Sequence, residues 1–203
     1  MTSPRGSVEL ILGPMFSGKT TELLRRIRRH LFAGRSCVVV NHARDVRCVE
    51  TDVVATHDHQ TFHALVKSAL LPALDELLAF GVVGIDEGQF FPDLDIFADL
   101  AANQGKIVIV AALDGNHKRQ PFGKISQLIP LVESVVKLSA ICQCCGSEAA
   151  FSRCFSDNGE EIQVGAGDKY AALCRRCYNA GCWSAEPTSR GRCAAAPRDR
   201  ASK

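Results

Sequence analysis

Short apolar runs separated by longer amphipathic stretches set the frame of this chain. Val8-Glu9-Leu10-Ile11-Leu12 ends at Gly13 and reads as a buried strand. Cys37-Val38-Val39-Val40, Val82-Val83-Gly84-Ile85-Asp86 and the run from Ile107 to Ala112 repeat the pattern, and Val135-Val136-Lys137-Leu138 adds a fifth strand. Between them the apolar positions recur with helical period. From Ser17 to about Phe32, Leu24, Ile27 and Leu31 fall on one face, and Glu22, Arg25, Arg26 and Arg29 on another, with Gly34 as the stop. Further helices are expected over about His63 to Phe80, Leu94 to Asn103 and Lys124 to Glu133, with Pro72 and Pro130 kinking or breaking the first and last. Apolar strands alternating with amphipathic helices predict an α/β fold, a parallel sheet covered on both faces.

Near Ala140 the pattern changes. Seven of the ten cysteines lie between Cys142 and Cys182, among glycines and few apolar runs. This predicts an α/β domain over residues 1–139 and a small metal-organised lobe over 140–183. Residues 184–203 hold Pro187, Pro197, small residues and scattered arginines, lack a core pattern and are expected to be disordered. Crowding of cysteines at one end, with no apolar stretch of leader length before Glu9, favours reduced thiols and a metal over a disulfide scaffold. The longest apolar run, Ile107 to Leu113, has seven residues, whereas a spanning helix needs about 20, so no membrane partner is expected. A net charge of +2 and a pI near 8.1 fall short of the pI above about 9, with clustered Lys and Arg, usual for nucleic-acid binders. No nucleic-acid partner is therefore expected. The arginines of the first helix read most simply as a solvated face, with a phosphate-facing role as the alternative.

Three motifs carry chemistry. Gly13-Pro14-Met15-Phe16-Ser17-Gly18-Lys19-Thr20 fits G-x-x-x-x-G-K-[ST] between a strand and a helix. Its glycines let backbone N–H groups converge on phosphate oxygens, at a helix N-terminus that adds partial positive charge. Lys19 would reach the β- and γ-phosphates of ATP, and the Thr20 hydroxyl would bind Mg²⁺. Asp86 and Glu87 end the third strand, where sheet ligands bind. There an Asp can serve Mg²⁺ and a Glu can act as general base. Away from a phosphate loop the same pair would read as a solvated strand end. Cys142-Gln143-Cys144-Cys145 and Cys174-Arg175-Arg176-Cys177 form two C-x2-C knuckles, which together make a closed four-thiolate site for structural Zn²⁺. Cys144 is an alternative ligand, and buried free thiols are the alternative to a metal.

These segments resemble one family. Gly13 through Arg26, Ile85-Asp86-Glu87-Gly88-Gln89-Phe90-Phe91, Val110-Ala111-Ala112-Leu113-Asp114-Gly115, both cysteine pairs and Gly165-Ala166-Gly167-Asp168-Lys169-Tyr170 look like the type II, cellular and poxvirus-like, thymidine kinases. The resemblance covers about Val8 to Tyr178. It implies a P-loop, RecA-like sheet with a zinc-ribbon-like lobe carrying a loop, the lasso, that covers the nucleoside. The implied reaction is transfer of the γ-phosphate of ATP to the 5′-hydroxyl of thymidine. By it Glu87 is the general base, Asp86 serves Mg²⁺, Gln89 belongs with the nucleotide-side residues, and Asp45 and Arg47 match an Asp-x-Arg near metal and phosphates. Met15, Phe90, Leu113 and Phe122 match thymidine-pocket positions. Tyr170 matches the lasso tyrosine, and backbone groups around Val164 and Gly165 would bond the base edge. Ser152 stands where the family usually has a Thr near the base methyl. It also implies a homotetramer, feedback inhibition by thymidine triphosphate and a cytoplasmic location, the host cytoplasm if the source is viral.

One segment departs from the pattern: Asn116-His117 follows Asp114-Gly115, where the family usually has Thr-Phe. His117 offers a smaller ring that can still stack, so the departure bears on pocket shape and affinity, not reaction class. Without the resemblance, Phe90, Phe91 and Phe122 would read as core. Two other functions compete: a P-loop ATPase gripping nucleic acid, which predicts a basic stripe, and a zinc-organised module using nucleotide as a switch, which leaves Glu87 beside Asp86 unexplained.

Overall fold

The computed structural model describes residues 6–44, 53–55, 61–154 and 169–181. Its centre is a six-stranded sheet of β1 (Ser7–Gly13), β2 (Cys37–His42), β5 (Leu65–Lys67), β6 (Val82–Ile85), β7 (Ile107–Leu113) and β8 (Ser134–Lys137), in the order β5-β2-β6-β7-β1-β8. Every pairing in it is parallel. The near-continuous apolar strands follow from that arrangement: both faces are covered, and the two-residue period sends alternate side chains to opposite cores. Val8, Leu10 and Leu12 join Val108, Val110 and Ala112 in one core, against Leu77 of α2 (Leu74–Leu78), Phe97 of α3 (Leu94–Asn103) and Leu128 of α4 (Ile125–Leu128). Ile11, Ile109 and Ala111 face the other, against Leu23, Leu24 and Ile27 of α1 (Lys19–Phe32). Gly84 lets α1 lie close, since a Cβ there would come within 3.0 Å of Ile27 Cδ1.

The five expected strands and the helices at α1 and α3 are present. Three expectations are corrected. The stretch from His63 to Phe80 is not one helix: it holds the end of β4 (Thr61–His63, paired with β3, Val53–Ala55), the edge strand β5, a 3₁₀ turn over Leu71–Ala73 and then α2. Pro72 lies in the first turn, where its missing N–H is harmless. The Leu70 and Leu71 N–H groups donate to the Asp93 carboxylate at 2.7–3.1 Å. The stretch from Lys124 to Glu133 likewise shortens to α4 plus a 3₁₀ turn containing Pro130. Leu31 does not join the apolar stripe: it is 41% exposed, and Leu23 completes the stripe instead. Part of the arginine face is internally paired. Arg26 bridges Glu9 and Glu22, and Arg25 also binds Glu22. Those guanidinium groups hold the Glu22 carboxyl at about 2.

From Ala140 the chain builds two short antiparallel pairs, β9 (Ala140–Ile141) with β10 (Glu148–Ala149) and β11 (Phe151–Cys154) with β12 (Tyr170–Leu173), followed by α5 (Arg175–Ala180). Their core is small: Ala140, Cys142, Ala149, Ala171, Ala172, Leu173 and Cys177. Among the described residues no helix is long and apolar enough to cross a membrane.

Candidate active site and metal centre

The phosphate loop joins the end of β1 to the start of α1. Gly18 caps the helix in the left-handed region (φ 79°), and Phe16 shares that conformation (φ 64°). Ser17 Oγ and Lys19 Nζ both donate to the Pro14 carbonyl, at 2.8 and 2.9 Å, which closes Gly13 to Thr20 into a compact turn. The Thr20 hydroxyl donates to Asp86 Oδ2 at 2.8 Å. Hydroxyl and carboxylate oxygens side by side at the mouth of a phosphate loop are the donor set that a hard cation such as Mg²⁺ takes.

Asp86 is buried at the end of β6, and its Oδ1 accepts the Glu87 N–H at 3.0 Å. Glu87 follows in the left-handed region at φ 51°, a conformation that a non-glycine residue holds at a cost of order 1–3 kcal/mol. The kink turns the chain from the strand into the 3₁₀ turn Gly88–Phe90. Gln89 then works in two directions. Its Nε2 donates to Glu87 Oε2 at 2.6 Å, and its Oε1 accepts the Leu113 N–H at 3.0 Å. Gly123 presses on the same turn at φ 55°; a Cβ there would fall 2.1 Å from the Gln89 carbonyl oxygen. Phe90 meets Phe122 edge-on at 5.7 Å between centroids, and Phe91 is wholly buried in the core.

His42, which the sequence reading did not single out, lies beneath these rings, 5.6 Å from Phe90 and 4.7 Å from Phe91. Its Nδ1 accepts the Arg44 N–H at 3.0 Å, so its Nε2, 3.2 Å from the Ser68 carbonyl, carries the proton. Burial lowers its pKa from 6.5. No pattern in the sequence marks it, beyond its place at the end of a strand.

The segment after β7 is a self-contained turn. Asn116 Oδ1 accepts the N–H groups of Lys118 and Gln120, and the backbones of Asn116 and Gln120 pair at 3.0 Å. His117 is 8% exposed on this turn, and its carbonyl accepts the Tyr178 hydroxyl at 2.6 Å. Ser152, on β11, accepts the Met15 N–H at 2.8 Å, which joins the phosphate loop to the lobe. Tyr170 is buried in β12 opposite Cys154. Asp45, Arg47, Val164, Gly165 and the tail lie outside the described residues.

The Sγ atoms of Cys142, Cys145, Cys174 and Cys177 all lie within 4.8 Å of one another. Cys145 and Cys174 are 3.7 Å apart, close to the edge of about 3.8 Å expected for thiolates at 2.3 Å around one tetrahedral ion. Cys144 is not in the cluster, so geometry selects Cys145 from that run. The Ser147 hydroxyl and amide beside Cys145 pull its thiol down to about 6, toward the thiolate a metal needs. Cys174 also caps α5, its Sγ accepting the Cys177 N–H at 3.5 Å.

Taken together, a strand–loop–helix phosphate cradle and a carboxylate pair at the next strand end, with the rings of Phe90 and Phe122 beside them, define a nucleotide-dependent phosphotransferase, and a four-cysteine cluster that could hold a metal lies in its lobe. The comparisons narrow that class. The thymidine kinase family profile matches residues 6–178. The chain is 49% identical to the cytosolic thymidine kinase of Homo sapiens over 86% of its length and 74% of that protein. Against the thymidine kinase of Vaccinia virus (strain Ankara) it is 49% identical over 85% of this chain and 97% of that one. The cytosolic enzyme of Gallus gallus gives 49% over 86% and 78%. The chain belongs to the thymidine kinase family, whose members transfer phosphate to thymidine.

Proposed function

We propose that this chain transfers the γ-phosphate of ATP to the thymidine 5′-hydroxyl through the following roles. The loop from Gly13 to Thr20 holds the triphosphate, with Lys19 on its terminal phosphates. Thr20 and Asp86 hold Mg²⁺, which when bound neutralises charge on the transferred group. Glu87 takes the proton of the 5′-hydroxyl, and Gln89 fixes the carboxylate that does so. Asp45 and Arg47 serve the phosphates. Met15, Phe90, Leu113, His117 and Phe122 enclose the base, Ser152 lies at its methyl group, and Tyr170 with the backbone of Val164 and Gly165 closes over it. Zn²⁺ on Cys142, Cys145, Cys174 and Cys177 is structural, because four thiolates leave no open position. Residues 1–139 act as the nucleotide-binding domain and 140–183 as the lid-bearing lobe.

The observation that supports this reading best is the chain of contacts Thr20–Asp86, Asp86–Glu87, Glu87–Gln89 and Gln89–Leu113, which runs from the phosphate loop to the end of β7 without a gap. The same reading includes a cytoplasmic homotetramer inhibited by thymidine triphosphate. The exposed valines Val135 and Val136 on the edge strand β8 leave apolar surface for such assembly. The test is ADP release with each deoxynucleoside offered separately. Thymidine-dependent ADP, matched one for one by dTMP, is expected; ADP release indifferent to nucleoside would overturn the proposal.

A further inference from the structure

Among the described residues, two sets of contacts tie the lobe to the α/β sheet. The first ends at the phosphate loop: Ser152 takes the Met15 N–H at 2.8 Å, and Phe16 packs on the lobe core. The second ends at the turn carrying His117, and it starts one residue from a metal-ligand position. Tyr178 follows Cys177 on α5, and its hydroxyl donates to the His117 carbonyl at 2.6 Å. The Arg119 guanidinium lies 4.4 Å over the Tyr178 ring while its Nη1 donates to Asn179 at 3.2 Å. On the lobe side Arg153 donates to the Tyr178 carbonyl at 2.6 Å, and Phe151 tilts against the Tyr178 ring at 5.7 Å. Tyr178 is thus gripped by its ring, its backbone and its hydroxyl.

The turn it holds is stiff inside and anchored at both ends. Internally it is tied by Asn116. At its start Lys137 pairs with Asp114 at 2.6 Å, and at its far end Gly123 packs on the Gln89 backbone. A stiff turn held at its ends and pulled at its crest moves as one body, and it carries His117 and leads into Phe122. The placement of α5 in turn depends on the cluster, because Cys174 caps the helix and Cys177 sits in its first turn.

We propose that Tyr178 is the positioning residue through which the thiolate centre sets nucleoside affinity. It acts on the pocket wall and leaves the phosphate loop untouched. This rests on the thymidine kinase reading above and adds a coupling route between two of its parts. Coupling of this kind is reciprocal: what zinc does for thymidine, thymidine does for zinc.

The experiment compares wild type, Tyr178→Phe and Arg119→Ala, each purified with its metal. Tyr178→Phe keeps the ring and loses one hydrogen bond, worth about 1 kcal/mol, or roughly fivefold. The expected result is a thymidine KM raised about fivefold, with kcat, the ATP KM and the zinc content held within twofold of wild type. Arg119→Ala should shift the same quantity in the same direction. The second readout needs no turnover: thymidine should slow the release of zinc to a chelator from wild type, and slow it less from Tyr178→Phe. An unchanged thymidine KM in both variants, a parallel rise in the ATP KM, or equal protection of zinc in wild type and Tyr178→Phe would overturn the coupling. Wild type without thymidine-dependent turnover would instead overturn the reading beneath it.

Discussion

The sheet and the cysteine lobe hold together by different means. The sheet is flanked by two cores of large side chains: Phe91, Phe97, Leu10, Leu23, Ile27 and Ile109 are all wholly buried. Burying such side chains contributes about 1.5–3 kcal/mol each, so burial alone holds this part together. The core cluster of the lobe is four alanines, one leucine and two of its four clustered cysteines, with Cys154 and Tyr170 also buried nearby in sequence. So little apolar mass leaves a domain of that size dependent on a staple. The chemistry is divided the same way. On the proposed reading the phosphate loop, Asp86 and Glu87 belong to the burial-stabilised sheet, whereas Ser152 and Tyr170 belong to the stapled lobe and Tyr178 holds the turn that carries His117. Damage to one part should therefore show as lost turnover, and damage to the other as lost nucleoside affinity.

The largest effect that would sharpen this contrast comes from the sheet side. Glu87→Gln keeps the shape and the Gln89 contact but removes the proton acceptor, and a general base is typically worth about 10²–10⁴-fold. We expect kcat to fall within that range while thymidine and ATP still bind and zinc stays in place. A variant keeping more than about a third of wild-type turnover would take the base role away from Glu87.

Paired variants test the two kinds of cohesion. Phe97→Ala opens a cavity in a wholly buried site of α3 and should cost about 3–5 kcal/mol in denaturant unfolding, with zinc still bound by the folded protein. Cys174→Ser with Cys177→Ser should do the reverse: zinc falls from about one ion per chain to none, and amides of β11, β12 and α5 exchange faster while β1 and β7 stay protected. Uniform loss of protection across the sheet in the cysteine pair would mean that the two parts share one cohesion. A smaller effect is expected from His117→Phe. The ring is already buried on its turn, so a larger apolar face should tighten thymidine by a fraction of the about 1–3 kcal/mol that stacking supplies. Titration calorimetry with equal affinities for the two proteins would place the ring outside the pocket.

How much of this was legible in the sequence follows the same divide. The long strands β1 and β7, the helices α1 and α3 and the phosphate loop announce themselves, because burial on both faces demands continuous apolar runs and the loop demands its glycines. The C-x2-C spacing named Cys142, Cys145, Cys174 and Cys177, and these four cluster in the structure with Cys144 outside the group. The edge strand β5 was hidden: three residues carry no period, and pairing with β2 overrides local preference. Contacts across long separations were equally invisible. Nothing local in Met15 or Ser152 says they meet across 137 positions, nor that Tyr178 meets His117 across 61. An aromatic residue directly after a knuckle was the one signal that could have drawn attention to Tyr178.

The last test turns to His42, at the end of β2 beside Phe90 and Phe91. Its neutral ring takes the Arg44 N–H on Nδ1, and a proton added there would turn that acceptor into a donor facing a donor. Burial is the main reason its pKa lies below 6.5; the charge of Arg44 adds to this, while the Ser68 carbonyl, Asp93 and Glu87 pull the other way. The sign follows from linkage. Well above pH 6.5 the ring is neutral in both folded and unfolded chains, so stability there does not depend on its titration. Below 6.5 and down to the lowered folded value, the unfolded chain holds a proton that the folded one refuses, so stability falls as pH falls. His30 and the cysteine thiols add their own pH dependence, so the informative quantity is a difference between two proteins. His42→Gln offers one acceptor and one donor but does not titrate. Denaturant unfolding between pH 5.5 and 7.5 should show wild type losing stability toward the acid end more steeply than the variant, with the two curves converging to parallel toward pH 7.5. Parallel curves over the whole range would mean that His42 takes up its proton as readily inside the fold as outside it, and that the bond to Arg44 does not depend on its charge.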